Sequence, residues 1–314
     1  MAAGTAGAAV GTAAAAEAAT AGGLRAEPGR RTRGDFASIA PAAGNPSSAE
    51  RSTAVLPGYR LIDLSVPLEH QAASEPLPAQ IRYARHEGEG LAQMRQLLGV
   101  RPEDLVWSGG LGWAVEEVQA ITHTGTHVDA PYHYGPTSGG KPARTIDQVP
   151  LEWCMAPAVV LDVRHKAAGE FITVADLEAA LARVHYRLRP LDVVLLHTGA
   201  DKRLGSPDYF AQPGLGREGV LWLVGQGVKV IGIDAYTLDR PFAAMAADYR
   251  RTGDGRSIWP AHFAGIEREY CQIEKLANLD QLPRPHGFYV SCLPVKIRRA
   301  SAGWCRAVAL VPEA

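Results

Sequence analysis

The chain has 314 residues, 32 Lys+Arg against 33 Asp+Glu for a net charge of -1, 46% hydrophobic residues and 21% charged ones. That is the composition of a soluble globular protein. It offers no net positive field for a phosphate backbone or an anionic lipid surface, and no apolar run near the ~20 residues that span a bilayer, which excludes nucleic acid and membrane as partners.

Ala, Gly and Thr, then Arg, Pro and Ser, dominate residues 1–58. This segment has too little apolar surface to offset its ordering entropy and is expected to be a disordered tail. From Tyr59 short β-type runs alternate with helical patterns, and the stretch 59–314 is read as one domain. Arg60 to Ser65 reads as an opening strand, and a short amphipathic helix is predicted around Leu91 to Leu98.

Ala158 to Val163 reads as a buried strand. Thr173 then caps a helix, with Asp176 three residues on and Val174, Leu177, Leu181 and Val184 on one face. Asp192 to His197 is the next apolar strand, Arg217 to Gln226 a helix stopped by Gly227, and Val228 to Asp234 a further strand. The resulting βαβαβ series predicts α/β layering. Gly287 to Ile297 and Trp304 to Val311, split by the basic turn Arg298 to Ser301, are expected to form a terminal antiparallel pair. Cys154, Cys271, Cys292 and Cys305 show no CxxC spacing, so a disulfide scaffold and a zinc ribbon are not indicated and a reducing cytoplasm suits them. Neither a G-x-S-x-G elbow nor a G-x-G-x-x-G turn is present for a serine hydrolase or a dinucleotide.

The informative stretch is His123 to Tyr134, HTGTHVDAPYHY. Imidazole and carboxylate are the donors that zinc and related divalent ions take in catalytic sites, where one position stays open for water. Along a strand His123, His127 and Asp129 share one face, as does His133 if the extension persists. Gly125 fits a bulge or a close backbone approach, and Pro131 should end regular pairing just past the ligands. His197 and Asp234, each closing a predicted strand, are candidates to face or support the same site.

His-x-Gly-Thr-His-x-Asp-x-Pro-x-His resembles the signature of the cyclase family of metal-dependent hydrolases, the family of bacterial kynurenine formamidase and isatin hydrolase. LIDLSVP at Leu61 to Pro67, LLHTGAD at Leu195 to Asp201, and His262 followed by Glu274 and LANLDQLP resemble other segments of that family. The resemblance implies a swivelling β/β/α fold with a mixed sheet, assembled as a homodimer or homotetramer. It makes His123, His127 and Asp129 ligands of a primary divalent ion, with zinc the first expectation and manganese the second. In two-metal members Asp129 would bridge, with His262 and Glu274 completing a second site, so one or two ions are implied. His133 matches the histidine used as general acid/base.

Relative to compact members the chain carries added material around 85–115. Met94, Trp107 and Trp113 in it are candidates for an apolar substrate wall or for the packing of a surface helix. The expected activity is hydrolysis of a cyclic or N-acyl amide, or a lactone, by metal-activated water on a small-molecule substrate. Two alternatives remain open at this stage: a tailoring cyclase or dehydratase using the ion as a Lewis acid, and a catalytically silent binding protein.

Overall fold

A computed structural model of the chain describes residues 56–313. Apart from Leu56 to Gly58, the expected tail at 1–58 lies outside the described residues. Nine strands form one mixed sheet: β1 (Tyr59–Asp63), β2 (His127–Asp129), β3 (Met155–Asp162), β4 (Val193–His197), β5 (Val230–Ile233), β6 (Cys271–Glu274), β7 (His286–Ser291), β8 (Ala302–Trp304) and β9 (Val308–Pro312). Their order across the sheet is β1-β9-β7-β3-β4-β5-β6-β2-β8. The central strands β3 to β6 run parallel, and antiparallel strands flank them on both sides.

The parallel centre is buried on both faces, as crossover connections require. Val159, Leu161, Val194, Leu196, Ile231 and Ile233 pack one way, against the crossover helices. Ala158, Val160, Val193, Leu195, Val230 and Ile273 pack the other way, with Phe288 and Val290 of β7. These runs of Val, Ile and Leu are continuous because each residue meets a core whichever way it points. Helix α1 (Glu89–Leu98) matches the amphipathic segment expected there. The predicted crossover helix is α2 (Val174–Arg183), whose Thr173 and Asp176 form the anticipated reciprocal cap. Helix α3 (Arg217–Gly225) closes the next crossover, and α4 (Phe242–Thr252) and α5 (Pro260–Glu267) lie between β5 and β6.

The C-terminal expectation is met in part. β7 and β9 pair antiparallel, but β7 ends at Ser291, and the second predicted run divides. Ala302–Trp304 leaves to pair with β2, and only Val308–Pro312 returns beside β7. The four cysteines are free; Cys154, Cys271 and Cys292 are buried in the second core layer, and Cys305 packs against it. Among the described residues no helix is long and apolar enough to cross a membrane.

Candidate metal centre and active site

The expectation that His123 shares a strand face with His127 and Asp129 needs correction, although the side chains do converge. Only His127 to Asp129 is extended and paired. His123 lies in the preceding turn, where Gly125 adopts φ 66°, a left-handed conformation that a side chain disfavours. Pro131 does not merely end the pairing. It opens a short helical turn (Pro131–Tyr134), its fixed φ suiting the first helical position, and that turn carries His133 back toward the cluster. The His123 and His133 ring centroids are 4.1 Å apart.

The sheet register sets the other side of the site. Glu274 stands opposite His127 and Gln272 opposite Asp129 across the β6 and β2 pair. Two groups of ligand-type atoms result, His123 with Asp129 and His133, and His127 with Asp129 and Glu274, and Asp129 belongs to both. His127 Nδ1–H donates to the Gly125 carbonyl at 2.8 Å, which leaves Nε2 with a free lone pair. That Nε2 lies 3.2 Å from Asp129 Oδ1. His123 Nδ1 lies 2.7 Å from the same oxygen, while its Nε2 is engaged with Ser301 Oγ at 3.1 Å. His127 Nε2 and Asp129 Oδ1 are both buried and neither has a hydrogen-bond partner. Buried polar atoms left without partners are costly, and two that face each other beside a third nitrogen are what a divalent ion would satisfy. His123 Nδ1 and His127 Nε2, both drawn to Asp129 Oδ1, are donors of the chemistry a divalent ion takes.

The charge balance agrees. Burial would raise the Asp129 carboxyl, but the imidazoles of His133, His127 and His123 hold it well below the usual carboxylate range. Burial would lower His127, yet Asp129 and Glu274 more than offset this and raise it. The pocket thus favours positive charge beside Asp129, as a cation supplies. His133 behaves differently: burial, with His123, His262 and His127 around it, pushes it down to about 4.

His262 enters from the first turn of α5. Asp239 fixes it, accepting from Ala261 N–H at 2.8 Å, His262 N–H at 3.2 Å and His262 Nδ1 at 2.5 Å. Its Nε2 points into the cluster, 3.9 Å from Asp129 Oδ2 and 3.7 Å from Glu274 Oε1. The ring stacks at 4.2 Å on Trp259, whose backbone is left-handed at φ 52°.

Several residues around the cluster carry no signal in the local sequence pattern. A cavity of about 240 Å³ opens over the cluster, lined by His123, His133, His262 and Glu274 together with Leu77, Ile121, Tyr236, Phe242 and Trp259. Met94, Trp107 and Trp113 do not line it. Trp107 is fully exposed, and Trp113 uses its indole N–H on Gln93 at 2.8 Å. Two buried charges brace the ligand turn: Lys275 Nζ donates to Glu75 at 2.6 Å and to the His123 carbonyl at 2.7 Å, and Gly125 N–H donates to Glu75 at 2.7 Å. Asp234 accepts from Thr198 N–H, Thr198 Oγ and Gly199 N–H, so it shapes the turn after β4. His197 lines a separate hollow with Arg164 and Asp280, away from the cavity just described.

Comparison with known proteins places these features. A family model described as "Putative cyclase" matches residues 62–240. An isatin hydrolase of Roseibium aggregatum is 30% identical over 208 residues, covering 61% of this chain and 73% of that protein. A kynurenine formamidase of Maricaulis maris is 29% identical over 223 residues, covering 67% of this chain and 93% of its own. Among solved structures, isatin hydrolase A from Ralstonia solanacearum matches with a TM-score of 0.62 and 27% identity over 81% of this chain and 92% of that one. The match spans the opening strand, the histidine motif and the crossover units, and the chain belongs to the cyclase family.

Proposed function

We propose that this protein is a metal-dependent hydrolase of amides, acting on a flat cyclic or N-acyl aryl amide of the kind named by its isatin hydrolase and kynurenine formamidase relatives. The observation that carries the reading is the pair of orphaned buried atoms, His127 Nε2 and Asp129 Oδ1, facing His123 Nδ1 beneath an aromatic cavity. A divalent ion held by these three would polarise the carbonyl and bring the pKa of a coordinated water toward ~7; zinc is the first choice and manganese the second.

The remaining work falls to the chain's own side chains. Trp259, Phe242 and Tyr236, with Leu77 and Ile121, line the cavity and offer a flat ring an apolar seat. His133, held neutral by burial, takes the proton of the attacking water on a ring nitrogen and returns it to the leaving nitrogen. Lys275 and Glu75 hold the His123 turn in place from behind. The protein is read as cytoplasmic, in keeping with its four free cysteines. Exposed Leu97, Leu98, Val106 and Trp107 support assembly as a homodimer or homotetramer.

The test is to strip the protein with a chelator, reload it with zinc or manganese, and assay isatin and an N-formyl arylamine. Turnover that depends on the ion, and that falls by about 10²–10⁴ in His133→Ala while its metal content is unchanged, is the expected result. Equal turnover by the stripped protein, or by His133→Ala, would refute it.

A further inference from the structure

The second ion expected at Asp129, His262 and Glu274 meets an obstacle on the neighbouring strand. Gln272 is fully buried on β6, directly opposite Asp129. Its amide nitrogen lies 2.9 Å from Asp129 Oδ2, 2.9 Å from Glu274 Oε1 and 2.7 Å from His262 Nε2. Those atoms come from the three side chains expected to hold a second ion, and one amide nitrogen already faces all of them.

The orientation of the amide is determined by its surroundings. In the neutral tautomer whose Nδ1–H is donated to Asp239, His262 Nε2 presents a lone pair and accepts. Asp129 Oδ2 and Glu274 Oε1 are carboxylate acceptors. Three acceptors converging on one point call for a donor, and turning the amide over would set its oxygen against two carboxylates. On the far side Gln272 Oε1 lies 3.1 Å from the Tyr270 hydroxyl, which it shares with the Ala261 carbonyl. Glu274 Oε1 accepts from Leu238 N–H as well, at 2.9 Å, which leaves it little capacity for a metal.

Geometry excludes coexistence of the amide and an ion on those three atoms. A zinc-type ion sits about 2.0–2.2 Å from each ligand. His262 Nε2 stands 3.7 Å from Glu274 Oε1 and 3.9 Å from Asp129 Oδ2, so an ion bound to all three would fall between them, on the flank the amide nitrogen covers. An amide NH₂ has no lone pair to give that ion and would press its protons against it. The carboxylate of Asp129 is thereby divided: Oδ1 is unpartnered and faces His123 and His127, while Oδ2 is taken by Gln272.

We propose that Gln272 is a built-in plug for the second metal position, so that this chain works with a single ion, held by His123, His127 and Asp129, and that His262 and Glu274 serve as hydrogen-bond anchors for Gln272. The inference rests on the metal-dependent reading above, and its test separates the two. The full chain is dialysed against excess manganese and then against buffer, metal is counted by plasma mass spectrometry, and the Mn²⁺ spectrum is recorded by electron paramagnetic resonance. The wild type is expected to hold one equivalent with the six-line signal of an isolated ion. Gln272→Ala is expected to hold two, with the signal of an exchange-coupled pair; Gln272→Glu, which keeps the size and replaces the donor by a carboxylate, is expected to do the same if the alanine variant does not fold. No metal in the wild type removes the metal-dependent reading itself. Two equivalents in the wild type leave that reading standing and overturn the plug. One equivalent in both wild type and variant, or loss of the only ion in Gln272→Ala, also overturns it, the last by making Gln272 a ligand.

Discussion

Gly265, in the second turn of α5, places the two halves of the site at a fixed separation. A Cβ built there would stand 2.1 Å from Tyr134 Cδ2 and 2.8 Å from its Cε2. Carbon atoms rest about 3.5–4.0 Å apart, so the ring would have to retreat by roughly 1.5 Å. It has nowhere to go: Tyr134 is 2% exposed and stacks on Tyr270 with centroids 4.9 Å apart. Ala in a helix is favoured over Gly by about 0.5–1 kcal/mol, whereas overpacking a tight core costs about 1–3 kcal/mol. Gly265→Ala is therefore expected to lose about 1–2 kcal/mol, read as a lower urea midpoint at unchanged slope. Because Tyr134 adjoins His133 in the chain, the same displacement moves the proposed acid/base, and a shift near 1 Å costs about 10²-fold in rate. A variant as stable and as active as the wild type would show that the helix and the His133 turn are not in hard contact, and would refute the reasoning.

The Lys275 and Glu75 side chains are 5% and 6% exposed, so Lys275→Met strands a buried carboxylate and is expected to cost about 3–5 kcal/mol in urea unfolding, with weaker metal binding as the His123 turn loosens. Unchanged stability would mean that water reaches Glu75. Thr173→Ala removes the reciprocal cap of α2 and should cost about 1 kcal/mol. Burial would raise Asp176, but hydrogen bonds from Thr173, Lys166 and His165 hold it below the ordinary carboxylate range. Its contribution is thus complete above about pH 4 and is lost as the pH falls, so Asp176→Asn should flatten the acid limb of the stability curve. Since burial pushes His133 down to about 4, kcat/KM should show no limb from this imidazole near its ordinary ~6.5. A limb there that disappears in His133→Ala would contradict the burial argument.

Much of this candidate site could be read from the sequence because the proposed ligands His123, His127 and Asp129 are close together in the chain. The period-2 alternation of His127 and Asp129 holds in β2, and the Thr173 to Asp176 spacing announced its helix correctly. The extrapolation of that alternation to His123 and His133 fails at Gly125 and Pro131, whose backbone preferences turn the chain; the rings still converge because the turns fold back over the strand. What escaped were partners brought together by sheet register and by long-range contacts. Gln272 stands 143 positions from Asp129, and Glu75 stands 200 from Lys275. No local period marks such residues, and a buried glutamine in an apolar strand reads as an ordinary polar interruption. Of the two readings of Met94, Trp107 and Trp113, the substrate wall does not hold, since Trp259 lines the cavity instead, from a left-handed backbone that composition does not reveal.

The proposed chemistry is addition of water to an amide. Its most direct test is turnover of isatin by the metal-loaded full chain in ¹⁸O-labelled water, followed by mass spectrometry of the product. The expected result is a ring-opened product heavier than the substrate by one labelled water, with the heavy oxygen in the new carboxylate. A product lighter by one water, an unlabelled product, or no turnover of any cyclic or N-acyl aryl amide by the loaded protein would contradict it.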